Sequence, residues 1–254
     1  RRPVKRVVAS IGQSVLERAG GGVDLPGNGE QRRGYGRRIL ALNDEIWARM
    51  TNQAYEGKIT LGVPSDIIYP YIPTVLRRFA MEYPRIKVNL ISSYTLRLKR
   101  QLARGEVDVI LTTETELDSG GETLEKAPML WVGSPGGTIW KARPARLAFE
   151  HNCAFRGGVQ RALDEAGIKW EMAVESDSTR TVEASALADL AIHAALDGTV
   201  DHHLEVIPHN GALPDLPVYN INLYIAAGPQ AALAERLAVL IRQAYGKVLL
   251  KAAE

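Results

Sequence analysis

From Gly57 onward the chain alternates strands and helices with short links, and this alternation constrains its fold more than any other feature. The spacing predicts a strand over 58–63 that stops at Pro64, then a helix over 72–83 with Val75, Leu76 and Phe79 on its apolar face. A strand over 87–91, a helix over 95–104 ended by Gly105, and a strand over 107–111 follow. Strand-helix-strand-helix-strand with links this short implies parallel strands joined by right-handed crossovers. The expected class is therefore an α/β protein with an open sheet.

The pattern resumes after residue 128. A buried strand at 129–132 runs into Gly133-Ser134-Pro135-Gly136-Gly137, which reads as a crossing between subdomains. A strand at 146–149, a helix at 155–166 stopped by Gly167, and a strand at 170–175 come next. Ser176-Asp177-Ser178-Thr179 is expected to cap a helix reaching about residue 196. Strands at 204–207 and 218–226 precede a closing amphipathic helix over 230–249, with Leu233, Leu237, Leu240, Ile241 and Tyr245 facing inward.

The segment before this body has a different grammar. Tyr35, Ile39, Leu42, Ile46 and Met50 recur at helical steps, close to a coiled-coil seam. A helix over 30–56 spans roughly 40 Å at the α-helical rise. It reads either as a surface helix or as a dimerising rod. Val4, Val7, Val8 and Ile11 form a short helical stripe upstream, and the glycines from Gly20 to Gly29 suggest a turn-strand-turn wing. The net charge of +2 is unevenly spread: residues 1–38 carry nine Lys/Arg against three Asp/Glu, or +6, and the remainder carries −4. Basic clustering at one end is the footprint of a phosphate-binding element.

Enzyme signatures are mostly missing, and an enzyme using Cys153 or the histidine loop is only a minor alternative. With 46% hydrophobic and 24% charged residues, the sequence describes a globular protein. No apolar run approaches the roughly 18 residues of a membrane span. The basic N-terminus is not followed by the apolar stretch of an export signal, and the single cysteine, Cys153, suits a reducing compartment, so a cytoplasmic location is expected. Ser134 lacks the glycine that a nucleophile elbow places two residues earlier. Cys153 reads as a structural thiol, and Asp201, His202, His203 and His209 match no zinc spacing. No cofactor or metal is expected. Ser65-Asp66, Ser92-Ser93 and Ser176 to Thr179 are more telling, because each sits where a strand hands over to a helix. Those points lie at the carboxyl edge of an open α/β sheet, where ligands bind. A small polar or carboxylate-bearing ligand is expected there, contacting Ser65, Asp66, Ser92, Ser93, Ser176, Ser178 and Thr179.

The order of basic helix, wing, long helix and two-part α/β body resembles the LysR-type transcriptional regulators. The residues that carry the resemblance run along nearly the whole chain. Val4-Lys5-Arg6, Gly12-Gln13, Leu16-Glu17-Arg18 and Gly29-Glu30 are similar to the end of the recognition helix, the wing and the entry to the linker. Gly57-Lys58-Ile59-Thr60-Leu61-Gly62 is similar to the first sensor strand. Leu98, Leu102, Gly105 and Asp108-Val109-Ile110 match a helix-strand motif, as do Pro128 to Gly133 and Glu183 to Ala191 in one subgroup.

The resemblance implies a type II periplasmic-binding-protein-like effector domain of two subdomains, preceded by a linker helix and an incomplete winged-helix remnant. It implies domains at 1–29, 30–56 and 57–254, with one subdomain formed by 57–133 and 224–254 and the other by 134–223. It also implies a homodimer or homotetramer seamed by Tyr35, Ile39, Leu42, Ile46 and Met50, a small-molecule effector, and promoter DNA met by Arg2, Lys5 and Arg6. Family members carry two helices ahead of the recognition helix, and this sequence starts at or inside that helix, so weak or lost DNA binding is expected. A solute-binding protein of the same fold is the rival reading.

Overall fold

The computed structural model describes residues 17–19, 22–24 and 57–251, with side chains placed over 57–246. The chain divides into two units, Arg1–Ala54 and Tyr55–Glu254. In the first, β1 (Glu17–Ala19) and β2 (Gly22–Asp24) pair antiparallel, with Arg18 opposite Val23. The helical stripe at 4–11, the linker at 30–56, and the DNA and dimer residues assigned to them lie outside the described residues.

The second unit opens with β3 (Gly57–Val63), a 3-10 turn at Ser65–Ile67, α1 (Ile72–Glu82), β4 (Ile86–Ser92), α2 (Thr95–Ala103) and β5 (Val109–Glu114). Strands β3, β4 and β5 are parallel, as the alternation requires. The sheet as a whole is mixed, however. β6 (Gly121–Gly133) and β11 (Val218–Ile225) join it antiparallel, giving the order β4-β3-β5-β11-β6. Its two faces are read off the period of two. Ile59, Leu61 and Val63 pack with Val75 and Phe79 of α1 and with Leu237 and Ile241 of α5 (Ala231–Lys251). The opposite face presents Ile110 to Leu98 of α2. Gly62 lies under that helix, where a Cβ would come within 2.7 Å of the Leu98 side chain. The Tyr71 and Tyr245 rings, 4.3 Å apart, bring the closing helix back onto the first sheet.

β6, with 13 residues, is more than three times as long as the strand over 129–132 that the sequence suggests. Its first part pairs with β11, while Met129 to Val132 pairs with β9 (His193–Leu196), and Val132 and Gly133 pair with β10 (Glu205–Val206). The hidden stretch, Gly121 to Pro128, is rich in polar residues and only half-buried, so its sequence lacks the apolar run that marks a core strand. Beside it lies the second sheet, in which β7 (Ala145–Glu150) and β8 (Trp170–Ser176) run parallel. α3 (Arg156–Glu165) connects them, and a bridge from Leu147 to Ile192 links β7 to the residue just ahead of β9. Pairing changes hands between Pro128 and Met129 and again ahead of Val218, some residues before the 133/134 and 223/224 divisions read from the sequence.

The helix expected over 179–196 is corrected. α4 covers only Thr179–Leu187, and 193–196 is strand β9. Asp189 takes a left-handed conformation at φ 54°, while Leu190 N–H donates to Ser185 O and Asp189 N–H to Ala186 O. This is a Schellman termination with aspartate in the usual glycine position. The Asp189 carboxylate also accepts N–H bonds from Thr138 at 3.0 Å and Ile139 at 3.1 Å.

Asp108 holds the first sheet together. Its Oδ2 accepts the Thr60 N–H at 2.7 Å, its own N–H donates to Thr60 O at 3.0 Å, and its carbonyl accepts the Ala226 N–H at 2.8 Å. Asp108→Ala strands a buried donor on β3 and is expected to lower stability by about 1–3 kcal/mol. Asp108→Asn keeps an acceptor and should cost clearly less; urea midpoints of the two variants check the difference.

Candidate functional site

The carboxyl ends of β3, β4, β5, β7 and β8 face a cleft of about 1250 Å³ between the two subdomains. Each wall is built by a strand end. Pro64 ends β3 and turns the chain through Ser65 and Asp66; β4 delivers Ser92 and Ser93; β5 delivers Thr113. From the second subdomain come Glu150 at the end of β7, the Asn152 to Phe155 turn, Ser178 and Thr179 at the start of α4, and His193 on β9.

Six of the seven residues singled out from the sequence therefore line one space: Ser65, Asp66, Ser92, Ser93, Ser178 and Thr179. Ser176 is not among the lining residues. Its Oγ accepts the Ser178 N–H at 3.1 Å and its carbonyl accepts the His151 N–H, so it shapes the turn from behind.

Ser65 and Thr179, 114 positions apart in sequence, share a 2.9 Å hydroxyl-hydroxyl hydrogen bond across the cleft. The side-chain cap expected from Ser176 to Thr179 is corrected here. Ser178 occupies the N-cap position of α4 in an extended conformation, yet makes no side-chain cap bond. Tyr94, at the N-cap of α2, makes none either. A helix N-terminus without a side-chain cap keeps N–H groups for another acceptor. Both of these open on the cleft.

Asp66 is the anomalous group. As a residue it is half-buried, but its Oδ2 reaches no solvent and has no hydrogen-bond partner. Burial, with a further push from the Glu150 charge, raises its carboxyl to about 7, against help from its own backbone N–H and the Thr113 hydroxyl. His193 is buried, and its Nδ1 donates to Ala148 O at 2.8 Å; burial holds the imidazole below its usual range. Cys153 is half-buried, and its thiol is pushed up to about 12, mainly by burial and the Glu150 charge. A nucleophilic thiol needs the opposite shift.

At the mouth, His203 Nδ1 lies 2.8 Å from Asp201 Oδ1. The ligand atoms of Asp201, His202 and His203 fall within 4.8 Å of one another, so this trio, its two histidines exposed and Asp201 half-buried, is the group with metal-ligand geometry among the described residues. Thr113, Glu150 and His193 were not singled out from the sequence. Thr113 obeys the same strand-end rule as Ser92, so its signal was present. His193 was concealed by the helix read through it.

An open α/β cleft with hydroxyls and helix N-termini on facing walls has the features of a small-molecule binding site. The LysR substrate binding domain profile matches residues 52–246, and the chain belongs to that family. It is 25% identical over 232 residues to the HTH-type transcriptional regulator PecT of Dickeya dadantii, covering 89% of this chain and 71% of PecT. It is 26% identical over 221 residues to the HTH-type transcriptional regulator DgdR of Burkholderia cepacia, covering 87% and 75%. Among solved structures, full-length OxyR from Pseudomonas aeruginosa matches with a TM-score of 0.56 at 18% identity, covering 95% of this chain and 88% of OxyR. CrgA from Neisseria meningitidis matches with a TM-score of 0.57 at 19% identity, covering 97% and 87%. These structural likenesses establish the fold. Among the described residues, no helix is long and apolar enough to cross a membrane.

A carboxyl held near 7 in the fold and near about 4 in the unfolded chain has a defined linkage sign. Its contribution to stability is complete below about pH 4 and is lost as pH rises through 7. Asp66→Asn is therefore expected to leave the melting temperature little changed at pH 4 and to raise it above pH 7. Melting curves across that range measure the difference.

Proposed function

We propose that the chain is the sensing part of a LysR-type transcriptional regulator whose cleft takes a small polar effector. The observation that carries this reading is the Ser65–Thr179 hydrogen bond joining the two walls between two helix N-termini that lack side-chain caps. An effector that replaces this weak bridge with its own bonds to Ser65, Ser92, Ser93, Ser178 and Thr179 changes the free-energy difference between two subdomain arrangements. A ligand shifts that balance only by as much as its affinities for the two arrangements differ.

In this reading the linker stripe from Tyr35 to Met50 is the dimer seam, and the subdomain arrangement sets the angle between two DNA-reading heads, where Arg2, Lys5 and Arg6 meet phosphates. The cleft reading is tested by screening polar metabolites by thermal shift and titrating the best binder calorimetrically. Thr179→Val is expected to leave the fold within about 1 kcal/mol of wild type, because a single exposed hydrogen bond contributes little, and to weaken that binder about tenfold, the equivalent of roughly 1.4 kcal/mol. Unchanged affinity in both Thr179→Val and Ser92→Ala overturns the cleft as the binding site.

The dimer is tested separately. Leu42→Asp places a charge in the middle of the stripe and is expected to halve the mass measured by light scattering. An unchanged mass returns the stripe to the role of an ordinary surface helix. Anisotropy titration of the 254-residue chain against a promoter fragment at fixed salt measures what DNA affinity it holds.

A further inference from the structure

The charges lining the cleft do not balance. Asp66, Glu150, Asp177, Glu183 and Asp201 contribute carboxylates, against Arg97 and Arg180. Three of the five have cationic or titratable neighbours. Asp177 lies 3.2 Å from His151 Nδ1, Asp201 lies beside His203, and Glu183 feels the charge of Arg180. Among the described residues, neither Asp66 nor Glu150 has an ion pair. They come from opposite subdomains and feel each other's charge. His193, which also lines the cleft, donates its Nδ1 proton to Ala148 O and is kept neutral by burial.

The second observation is independent of this clustering. Asp66 Oδ2 is buried without a partner on a wall of the cleft. A buried acceptor left unpaired costs about 1–3 kcal/mol, so one that a fold retains calls for a functional or structural reason, and on a cleft wall a bound ligand supplies one. For a carboxylate that feels the charge of a second carboxylate lining the same cleft, the favourable partner is a cationic donor. A bound carboxylate in the same place would meet two like charges.

Building on the effector cleft proposed above, we infer that its ligand carries a protonated nitrogen that seats between Asp66 and Glu150. The hydroxyl or carboxylate oxygens of that ligand turn toward the Ser92–Ser93 and Ser178–Thr179 hydroxyls and the two helix N-termini. The ligand class is a small amino acid, amino alcohol or diamine rather than a simple carboxylic acid. This narrows the polar or carboxylate-bearing class expected from the sequence, since the strand-end turns alone gave no sign of the acidic floor. It also gives closure a driving force. Without a cation the two walls bring together two acidic groups whose charges disfavour each other, and with one they share a charge-assisted contact.

Matched probe pairs test this: L-alanine against L-lactate, L-serine against D-glycerate, ethanolamine against ethylene glycol, and putrescine against 1,4-butanediol. Each is titrated calorimetrically at pH 7.5 in EDTA. In at least one pair the amine is expected to bind and its hydroxyl counterpart to bind about ten- to a hundredfold more weakly, the range of a charged hydrogen bond. Asp66→Asn and Glu150→Gln should each erase that preference, while the melting temperatures show that both variants fold. Hydroxy acids binding as well as amines, with Asp66→Asn indifferent or improved, overturns the amine inference and leaves the cleft reading standing. A preference that survives both substitutions overturns it as well, as does a signal present only without EDTA. No binding by either member of any pair counts against both readings.

Discussion

Strand β6 is the constraint on which the effector domain depends. One extended segment is hydrogen-bonded into two sheets in succession, so neither subdomain is complete without it. Pro128 stands at the junction. It has no N–H to give a ladder, and its carbonyl accepts from Asp197 while Met129 N–H donates to Pro217 O. The first sheet ends and the second begins within one residue, and the chain returns through the segment ahead of β11. Because the parallel strands of both sheets end toward the same space, the strand-to-helix turns face one another. The cleft is a product of topology before it is a product of any side chain.

Legibility followed the physics of each segment. Strands β3 to β5 and their helices carry strong apolar periodicity and clean stops at Pro64 and Gly105, and they could be read directly. The first part of β6 could not, because a half-buried antiparallel strand shared between sheets has no reason to be apolar throughout. The end of α4 was hidden for a different reason. Asp189 does the work that glycine usually signals, and its carboxylate is committed to Thr138 and Ile139 far away in sequence.

The site divides in the same way. Hydroxyls at strand ends mark a ligand edge locally, so Ser65, Ser92, Ser93, Ser178 and Thr179 could be found one turn at a time. Their convergence, and the Ser65–Thr179 contact, are tertiary facts. The electrostatic character of the floor is more remote still. Asp66 reads as an ordinary turn aspartate until Glu150 and Cys153 arrive from the other subdomain and water is removed from its Oδ2. Asp108 is the converse case, a motif residue whose carboxylate is spent on the Thr60 N–H and is unavailable for chemistry.

The clamp at Asp189 has a mechanical meaning. α4 is a rigid strut of nine residues, about 13 Å long. Its head presents Thr179 to the cleft, and its foot is tied by two hydrogen bonds to the turn that leaves β6. A tug on the head cannot be absorbed by fraying at the foot. It is delivered as torque to the turn following the one strand that both subdomains share.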